Sequence, residues 1–441
     1  MAEFHLSNET LKRFMRQMDK EMDAGLVGGL SASTLAMLPS FVPYLPDGSE
    51  RGRFLAMDLG GTNLRVMLME VGADGESCSE QRNYRTPSWA MTGTAAQLFD
   101  FIADSLADFL EEKNLKTAGL PLGFTFSYPC DQTSLGCSKL LRWTKGFTAS
   151  GVIDRDVVCL LEEAIQRRKD IDVRVVAILN DTVGTQVATA FEYGTCDLGV
   201  IIGTGTNASY MEQVSKIGKL NAADYPYDQM IIDTEWGGFG DGYKSEYIMT
   251  QYDKTVDQNC SVHPGNYMFD NLVAGMYMGE VVRLVLLKLI EAAIIFNGAG
   301  SELISTQMGF PTKFISEILT DGGGDYYNAR QIFAELGIED FQFSDILFVR
   351  EVCMAVSRRS ANLAAAAMAC CMKRIGKQKI TIGIDGSTFQ HHPFYKLWLQ
   401  DKLRELVSSE IQFDIVQAGD GSGKGAALVA AIAEKMKSQN C

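Results

Sequence analysis

The chain has 441 residues, 46% of them hydrophobic and 22% charged, which is typical of a globular protein too long for one ordinary core. Its formal net charge of −15 argues against nucleic acid and anionic membranes as main partners. Ten cysteines without a CxxC spacing indicate free thiols in a reducing compartment. Only four histidines argue against histidine-rich metal sites and Ser-His-Asp chemistry.

The N-terminal run MAEFHLSNETLKRFMRQMDKEM is amphipathic and heavily charged, which predicts a helix over about 7–26 rather than a signal peptide. The longest apolar stretch, 281–296, is interrupted by Arg283, Lys288 and Glu291, which favours a core helix over a membrane span. We therefore expect a soluble, cytoplasmic protein without a membrane span. We expect it to act as a monomer, with a dimer as the alternative.

Hydrophobic patterning predicts strands that alternate with helices along the chain. In the first half, the predicted strands are 54–58, 64–71, 120–126 and 173–179, and the predicted helices are 95–113 and 156–168. In the second half, the predicted strands are 198–203, 207–213, 379–384 and 412–416, with several helices between 242 and 374 and a last helix at 425–437. This alternation predicts an α/β fold in which helices cover both faces of the sheets.

The most informative motif is a glycine-rich turn between two strands, which occurs twice. The first copy is FLAMDLGGTNLRV at 54–66, and the second is LGVIIGTGTNASY at 198–210. Glycines in such a turn let backbone N–H groups approach an anion closely. A tight hairpin would explain one copy, but two copies that both end in Thr-Asn predict a phosphate chain held from two sides. They also predict two related halves that face each other across a cleft.

Two other nucleotide motifs match less well. Residues 203–208, GTGTNA, fit the pattern GxGxxA, but the ASYMEQV that follows is typical of a strand, and a dinucleotide-binding turn requires a helix there. Residues 419–428, GDGSGKGAAL, lack the four-residue gap of a P-loop. We therefore expect this segment to bring nucleotide contacts to the start of the last helix, whose N-terminus favours anions.

Asp181 is the candidate general base. It follows the apolar strand at 173–179, and the carboxyl ends of strands are where ligands bind in α/β sheets. In that position it could accept a proton from a substrate hydroxyl. The alternative is that Asp181 is only the N-cap of the next helix.

Three further charged residues are candidates for contacts with a polyol. Lys145 stands in WTKGF, where the alternative is an ordinary surface lysine. Glu235 stands in the aromatic and glycine-rich loop DTEWGGFG. Glu280 lies in a mostly apolar helix, where an ion pair with Arg283 is the alternative. Carboxylates and amides from separate segments suit a sugar, because each sugar hydroxyl both donates and accepts hydrogen bonds.

Taken in order, these segments resemble the hexokinase family of sugar kinases over about residues 50–430. The matching runs are FLAMDLGGTNLRV, LPLGFTFSYPC, LRWTKGF, VVAILNDTVGT, IIGTGTNASYME, EWGGFGD, GMYMGEVVR, SRRSANL, IGIDGS and GDGSGKGAAL. The chain departs from the family at 237–240, where GGFG replaces the usual GAFG, and at 384–393, where IDGSTFQHHP is looser than VDGSLYKLHP. The second departure concerns the nucleotide side.

The resemblance implies the actin-like ATPase (ribonuclease H-like) fold, with mixed sheets in two lobes around a central cleft. It implies a small lobe of residues 54–190 plus 424–441 and a large lobe of residues 1–53 plus 191–423. The implied sugar contacts are Ser127, Thr144, Lys145, Asn180, Asp181, Asn207, Glu235 and Glu280. The implied phosphate contacts are Asp58, Gly60, Gly61, Thr62, Asn63 and Thr204. The implied adenosine-side contacts are Thr312, Lys313, Ser316, Asp385, Gly386, Ser387, Gly421 and Ser422.

The resemblance also implies the reaction, in which the γ-phosphoryl group of ATP moves to the 6-hydroxyl of glucose or a related hexose. Asp181 would be the catalytic base, and Lys145 would hold the acceptor end of the sugar. Mg²⁺ would arrive with ATP, and Asp58 would contact it through water. Closure of the lobes around the sugar would keep water, a competing nucleophile, out of the site.

Two alternatives come from other functional classes. A catalytically silent sugar sensor on the same fold would normally have lost the base or a phosphate turn, and this sequence has both. An actin-like or chaperone-type ATPase would have no sugar substrate, and the WTKGF loop and the segments of Glu235 and Glu280 argue against it.

Overall fold

The computed structural model describes residues 1–73, 75–143 and 146–439. The strands are β1 (Leu38–Pro39), β2 (Gly52–Leu59), β3 (Asn63–Val71), β4 (Ser77–Arg85), β5 (Leu120–Phe126), β6 (Cys130–Ser134), β7 (Cys137–Leu140), β8 (Val173–Leu179), β9 (Leu198–Ile202), β10 (Thr206–Gln213), β11 (Gln229–Asp233), β12 (Lys379–Asp385) and β13 (Gln412–Gln417). The helices are α1 (Asn8–Gly28), α2 (Ser88–Thr92), α3 (Ala95–Glu112), α4 (Val157–Arg168), α5 (Asp181–Tyr193), α6 (Gln251–Asn259), α7 (Met268–Val273), α8 (Gly275–Glu291), α9 (Glu302–Ser305), α10 (Lys313–Thr320), α11 (Tyr327–Glu335), α12 (Phe343–Ile375), α13 (Ser387–His391), α14 (Tyr395–Leu406) and α15 (Gly421–Gln439).

Two mixed sheets organise the molecule. The five-stranded sheet has the order β4-β3-β2-β5-β8, and the six-stranded sheet has the order β1-β11-β10-β9-β12-β13. Each sheet contains an antiparallel hairpin with a glycine turn, β2–β3 in one and β9–β10 in the other, and parallel strands beside it. We call the body around the five-stranded sheet the small lobe and the body around the six-stranded sheet the large lobe. The predicted recurrence of one arrangement in both halves is confirmed at the level of the sheets.

The core of the small lobe lies on both faces of its sheet. Every residue of β5, LPLGFTF, is buried, as expected for a strand that is covered on both sides. On one face, apolar residues of α3 and α4 form one cluster with the sheet, which includes Phe99, Leu161 and Phe124. The alanine-rich segment of α15 packs with Met67 and Ala177 in a second cluster.

The core of the large lobe is built around α12. This helix contacts α1, α8, α10 and α14. Its run from Ala361 to Met372 is almost entirely small or apolar and buried, which allows neighbouring elements to pack against several of its faces. Cys370 and Cys371 are buried within it.

Helix α5 connects the two lobes at the cleft. It contacts α15 on the small-lobe side and β9 and β10 on the large-lobe side. Its crossing with α15 depends on glycines, because a Cβ added to Gly425 would lie only 2.3 Å from the Cα of Gly184. A side chain at either position would push the helices apart. The crossing therefore fixes the start of α5, where Asp181 is the first helical residue.

The sequence predictions of α/β class and of most elements are confirmed, and β8 coincides with its predicted bounds. The last helix needs correction because it begins at Gly421, within GDGSGKG, and not at residue 425. Strands β1, β4, β6, β7 and β11 had not been predicted. The lobe boundaries at 54, 190 and 424 stay a prediction. In the described part of the chain, the helices lack the combination of length and apolar character that crossing a membrane requires.

Candidate active site

The first glycine turn joins β2 to β3. Leu59 and Leu64 are the last paired residues of the hairpin, and the Gly60 N–H donates to the Asn63 carbonyl at 3.0 Å. The hydroxyl of Tyr128 donates to the Gly60 carbonyl at 3.1 Å, which ties the turn to the chain after β5. Thr62 and Asn63 are exposed. The Thr62 hydroxyl and the Asn63 amide are therefore available to a ligand. The adjacent Gly61 is partly exposed.

The second glycine turn joins β9 to β10. The strands are paired up to Ile202 and Thr206, and the Gly203 N–H donates to the Gly205 carbonyl at 2.9 Å. Thr204 at the tip is exposed. The two turns share hairpin geometry and an outward-facing threonine, as the repeated motif predicts.

Asp58 at the end of β2 is connected to the start of α15. The Ser422 hydroxyl donates to Asp58 Oδ2 at 2.6 Å, and the Thr125 hydroxyl donates to the Ser422 carbonyl at 2.9 Å. Gly421, the first residue of α15, packs against Thr185 of α5. A predicted phosphate-side residue and two predicted adenosine-side residues are thus in one place.

Asp385, Gly386 and Ser387 lie against the second turn. Gly386 has a φ of +118°, and a Cβ there would lie 2.4 Å from the Ile202 carbonyl oxygen, so only glycine fits. Asp385 Oδ1 accepts the Gly386 N–H at 2.7 Å and a side-chain N–H of Gln390 at 3.0 Å. The segment after β12 therefore lies beside Gly203.

The charge of Asp181 acts on Asp385 of this nucleotide side. Burial raises the pKa of Asp385, and the nearby negative charges of Asp181 and Asp420 raise it further. Asp181 itself is half-buried. The N-cap of α5 is Asn180, whose Oδ1 accepts the N–H and the hydroxyl of Thr182 at 2.9 Å each. The capping role that sequence offered for Asp181 belongs to its neighbour.

A polar cluster from three segments lies next to Asp181. The side-chain amides of Asn180 and Asn207 each donate to Glu235 Oε1 at 3.4 Å. Asn207 also donates to Asp233 Oδ1 at 2.7 Å, and its own Oδ1 accepts the Trp236 N–H at 3.3 Å. Glu235 has a φ of 50°, a conformation unusual for a residue with a side chain. The predicted sugar contacts Asn180, Asn207 and Glu235 are thereby brought together.

Asp233 belongs to this cluster, although sequence reasoning did not assign it a role. It is only 5% exposed, and it accepts the Glu235 N–H at 3.2 Å in addition to the Asn207 amide. Burial raises the pKa of Asp233 well above its usual value, and the Glu235 carboxylate raises it further. The signal that could have found it is its position in the loop DTEWGGFG, two residues before Glu235.

Asp270 is a second residue that the sequence reasoning missed. Its Oδ1 accepts the Thr206 N–H at 2.5 Å. A Cβ on Gly205 would lie 3.3 Å from Asp270 Oδ1, and one on Gly237 would lie 3.3 Å from Asp270 Cβ. Asp270 therefore lies between the second turn and the Glu235 loop. The available signal was an acidic residue in the first turn of a short apolar helix, MFDNLV.

The predicted sugar contact at Glu280 is corrected by the structure. Glu280 is 1% exposed, and its two oxygens accept from Arg283 at 2.6 and 2.7 Å. The Met308 N–H donates to Glu280 Oε2 at 2.8 Å, and Arg283 also donates to the Ile304 carbonyl at 3.0 Å. Both oxygens are held by structural partners, so the ion pair that sequence left open as the alternative is the observed arrangement.

The remaining predicted sugar and adenosine contacts lie in different surroundings. Ser127 is buried directly after β5. Thr312 donates to the Gly275 carbonyl at 2.5 Å, and Gly275 donates to the Gly203 carbonyl at 2.8 Å, so Thr312 is connected to the second turn. The Lys313 ammonium group lies over the ring of its neighbour Phe314. The adenosine-side roles of Lys313 and Ser316 stay predictions. Thr144 and Lys145 lie outside the described residues.

The geometry defines a class of protein. Each of the two mixed sheets carries an exposed glycine turn, and a cluster of amides and carboxylates lies beside the second turn. Among the described residues, histidine, cysteine, aspartate and glutamate form no group of three that could hold a metal by themselves. This is the arrangement of a two-lobed α/β sugar kinase of the actin-like ATPase type, as predicted.

Comparison with known proteins identifies the family. Two family models, both described as Hexokinase, match residues 1–191 and 197–432. Hexokinase from Brugia malayi is 60% identical over 444 residues, which cover 100% of this chain and 77% of that protein. Hexokinase-2 from Rattus norvegicus is 43% identical over 446 residues, covering 99% of this chain and 48% of that protein, so the chain spans about half of its length.

Solved structures of hexokinases are also similar to this chain. A hexokinase from Schistosoma mansoni complexed with glucose has a TM-score of 0.89 at 36% identity and covers 98% of this chain and 97% of that one. A second structure, described as hexokinase, has a TM-score of 0.83 at 30% identity over the same shares. The chain belongs to the hexokinase family, whose members are kinases that phosphorylate hexoses.

Proposed function

We propose that this chain transfers the γ-phosphoryl group of ATP to the 6-hydroxyl of glucose or a related hexose, giving the hexose 6-phosphate. One observation carries the proposal. The cluster of Asn180, Asn207 and Glu235 lies beside Asp181, and the charge of Asp181 acts on Asp385 next to the second glycine turn. A polyol site and a phosphate site that meet at one carboxylate suit phosphoryl transfer to an alcohol.

The sugar is proposed to bind the polar cluster. Amides both donate and accept, and carboxylates accept, so together they can satisfy hydroxyls around a ring. We include Asp270 in this set in place of Glu280, because Asp270 lies beside Gly205 and Gly237 whereas Glu280 is held by Arg283. The glucose in the Schistosoma relative supports the choice of a hexose. We propose that Ser127, Thr144 and Lys145 complete the site.

The triphosphate is proposed to lie between the two glycine turns. Thr62 and Thr204 are exposed there, and the turns offer backbone N–H groups. The N-terminus of α15, at Gly421 and Ser422, adds a favourable field for an anion. Mg²⁺ would enter on the ATP phosphates and neutralise part of their charge. Asp58 suits a contact to it through water, because it stands at the end of β2 beside the first turn.

The chemical step requires one base and an aligned acceptor. The hexose O6 forms a bond to the γ-phosphorus while the bond from that phosphorus to the bridging oxygen of ADP breaks. Asp181 accepts the proton of the 6-hydroxyl. The capping bonds of Asn180, which fix the start of α5, support this role for Asp181. We propose that Lys145 holds the acceptor end of the sugar.

We also propose the cytoplasm as the working compartment and a monomer as the working form. All nine cysteines in the described ranges are free thiols, and Cys78 and Cys159 are exposed, which suits a reducing environment. The charge of −15 makes nucleic acid an unsuitable partner.

The test is a coupled assay of ADP release with glucose, mannose, fructose or no sugar. ADP release should require a hexose. It should not occur with 6-deoxyglucose, which lacks the acceptor hydroxyl but should compete with glucose for the site. Equal ATP turnover without sugar would instead favour the ATPase alternative. Sugar binding without ADP release would favour the sensor alternative.

A further inference from the structure

Arg142 and Tyr267 meet across the cleft. The guanidinium carbon of Arg142 lies 4.2 Å from the centre of the Tyr267 ring, within the distance of a cation–π contact. Arg142 follows β7 and directly precedes Trp143, which belongs to the core of the small lobe. Tyr267 directly precedes α7, whose Phe269 belongs to the core of the large lobe. The two side chains are therefore anchored in different lobes.

The contact lies at the edge of the sugar cluster. Tyr267 is three residues before Asp270, and Arg142 is two residues before Thr144 in the chain. Burial raises the pKa of Tyr267, the Arg142 charge opposes this rise, and the Glu235 carboxylate adds to it. Tyr267 thus experiences charges from both sides of the cleft.

A carboxylate of the large lobe also lies in the electric field of Arg142. Asp241 accepts the Met268 N–H at 3.1 Å, which holds it beside the start of α7. Burial raises the pKa of Asp241 to about 6, and the positive charge of Arg142 acts against this rise. Arg142 therefore contacts a ring of the large lobe and acts through its charge on a carboxylate of the same lobe.

We propose that the contact between Arg142 and Tyr267 stabilises the closed arrangement of the lobes and thereby sets the affinity for the sugar. The inference rests on the proposed function. A contact that exists only when the lobes are together raises the population of the closed form, and a ligand that binds this form gains the same free energy. Because the pair is outside the proposed set of reacting groups, it should act on KM and not on kcat. We assign it a positioning role.

The chain offers a matched control for this experiment. Arg13 lies 3.9 Å from the centre of the Tyr247 ring, and so makes the same kind of contact. Arg13 belongs to α1, and Tyr247 lies in a short 3-10 helix between Glu246 and Ile248. Both residues belong to the large lobe, so loss of this contact should leave closure unaffected.

The experiment measures glucose KM, glucose Kd from tryptophan fluorescence, kcat and melting temperature. We expect Arg142→Gln and Tyr267→Leu each to raise KM and Kd about fivefold, which corresponds to about 1 kcal/mol, with kcat within about twofold of wild type. Tyr267→Phe keeps the ring and should resemble wild type. The double variant Arg142→Gln/Tyr267→Leu should be no worse than either single variant, because both remove one contact. Arg13→Gln should leave KM and Kd unchanged.

Other outcomes would overturn the proposal. These are wild-type Kd in both cleft variants, additive effects in the double variant, or an equal rise of Kd in Arg13→Gln. X-ray scattering gives an independent reading, because glucose should contract wild type at lower concentrations than it contracts Arg142→Gln. A wild-type protein that binds glucose and contracts without releasing ADP would overturn the proposed reaction and leave the contact intact. A wild-type protein that does not bind glucose would overturn both.

Discussion

Asp270 and Glu280 are ten residues apart in the large lobe, and their surroundings are opposite. Asp270 accepts a backbone N–H of the second glycine turn and lies beside glycines of the cleft. Glu280 is 1% exposed and forms two hydrogen bonds with Arg283. Glu280 sits in the more apolar segment and was therefore the more conspicuous in the sequence. A carboxylate that the fold itself pairs with a guanidinium has little left to offer a ligand.

The comparison divides the acidic residues that were considered for the sugar site into two groups. Carboxylates at the cleft contact amides, N–H groups and each other, and we expect them to serve the substrate. Glu280 contacts an arginine in the core, and we expect it to serve stability. Substitutions should separate these two effects.

Asp181→Asn should have the largest functional effect. Removal of the base should lower kcat by about 10²–10⁴, because general base catalysis contributes on that order. The fold should tolerate the change, since Asn180 and not Asp181 caps α5. Steady-state kinetics and a melting curve of the same preparation measure both. Unchanged turnover would remove Asp181 from its role.

Glu280→Gln should have the largest effect on stability. It leaves Arg283 buried with a neutral partner, and breaking a buried ion pair costs on the order of 3 kcal/mol. Urea unfolding gives the loss of free energy, and KM for glucose should stay the same. A raised KM with unchanged stability would return Glu280 to the sugar site and contradict the comparison.

Asp270→Asn and Glu235→Gln should show the reverse pattern. Each weakens a charged hydrogen bond to a sugar hydroxyl, a loss of about 1.5–3 kcal/mol, so KM for glucose should rise about 10- to 100-fold. The free energy of unfolding should change by less than about 1 kcal/mol. Comparing the KM values for glucose of Asp270→Asn and Glu235→Gln with that of Glu280→Gln tests directly which carboxylates bind the sugar. Wild-type KM in Asp270→Asn would exclude Asp270 from the sugar site.

Sequence reasoning succeeded where a pattern has one physical meaning. The run Val173–Leu179 is mostly apolar and short, and the polar pair Asn180 and Asp181 ends it, so the strand and the helix after it could be predicted. The cap is Asn180 and not Asp181, and the role of Asp181 as base stays a prediction. The two glycine turns repeat one motif, and both close antiparallel hairpins as the strand–glycine–strand pattern predicts. Fold class follows from the alternation of these elements.

Sequence reasoning failed where contacts between distant residues determine an element or the role of a side chain. Strand β4 consists of polar, mostly exposed residues, so no hydrophobic alternation marks it, and only its pairing with β3 makes it a strand. The start of α15 was missed because its glycines disfavour a helix locally, while α5 packs against them closely. Asp270 was missed because its partner Thr206 lies 64 residues away in the chain. For Glu280 the ion pair with Arg283 was visible as an alternative, but only the buried surroundings of the pair decide in its favour.

A substitution of Asp241 should have the smallest effect, and the effect should be on stability. Asp241 belongs clearly to neither of the two groups of acidic residues. Its pKa is about 6 because it is buried, above the ordinary value of 3.8, so the folded state binds this proton more tightly than the unfolded state does. As pH rises from about 4 to about 6, the unfolded state loses the proton first, and the free energy of unfolding falls. Above about 6 the contribution of Asp241 no longer changes with pH.

Asp241→Asn removes this titration and keeps a side chain of the same shape. Melting temperatures of wild type and variant at several pH values should therefore diverge between about pH 4 and pH 6, with wild type losing stability relative to the variant, and run parallel above that. Other carboxylates titrate in both proteins, so the difference between the two curves isolates Asp241. Parallel curves over the whole range would mean that the pKa of Asp241 is not raised in the folded protein.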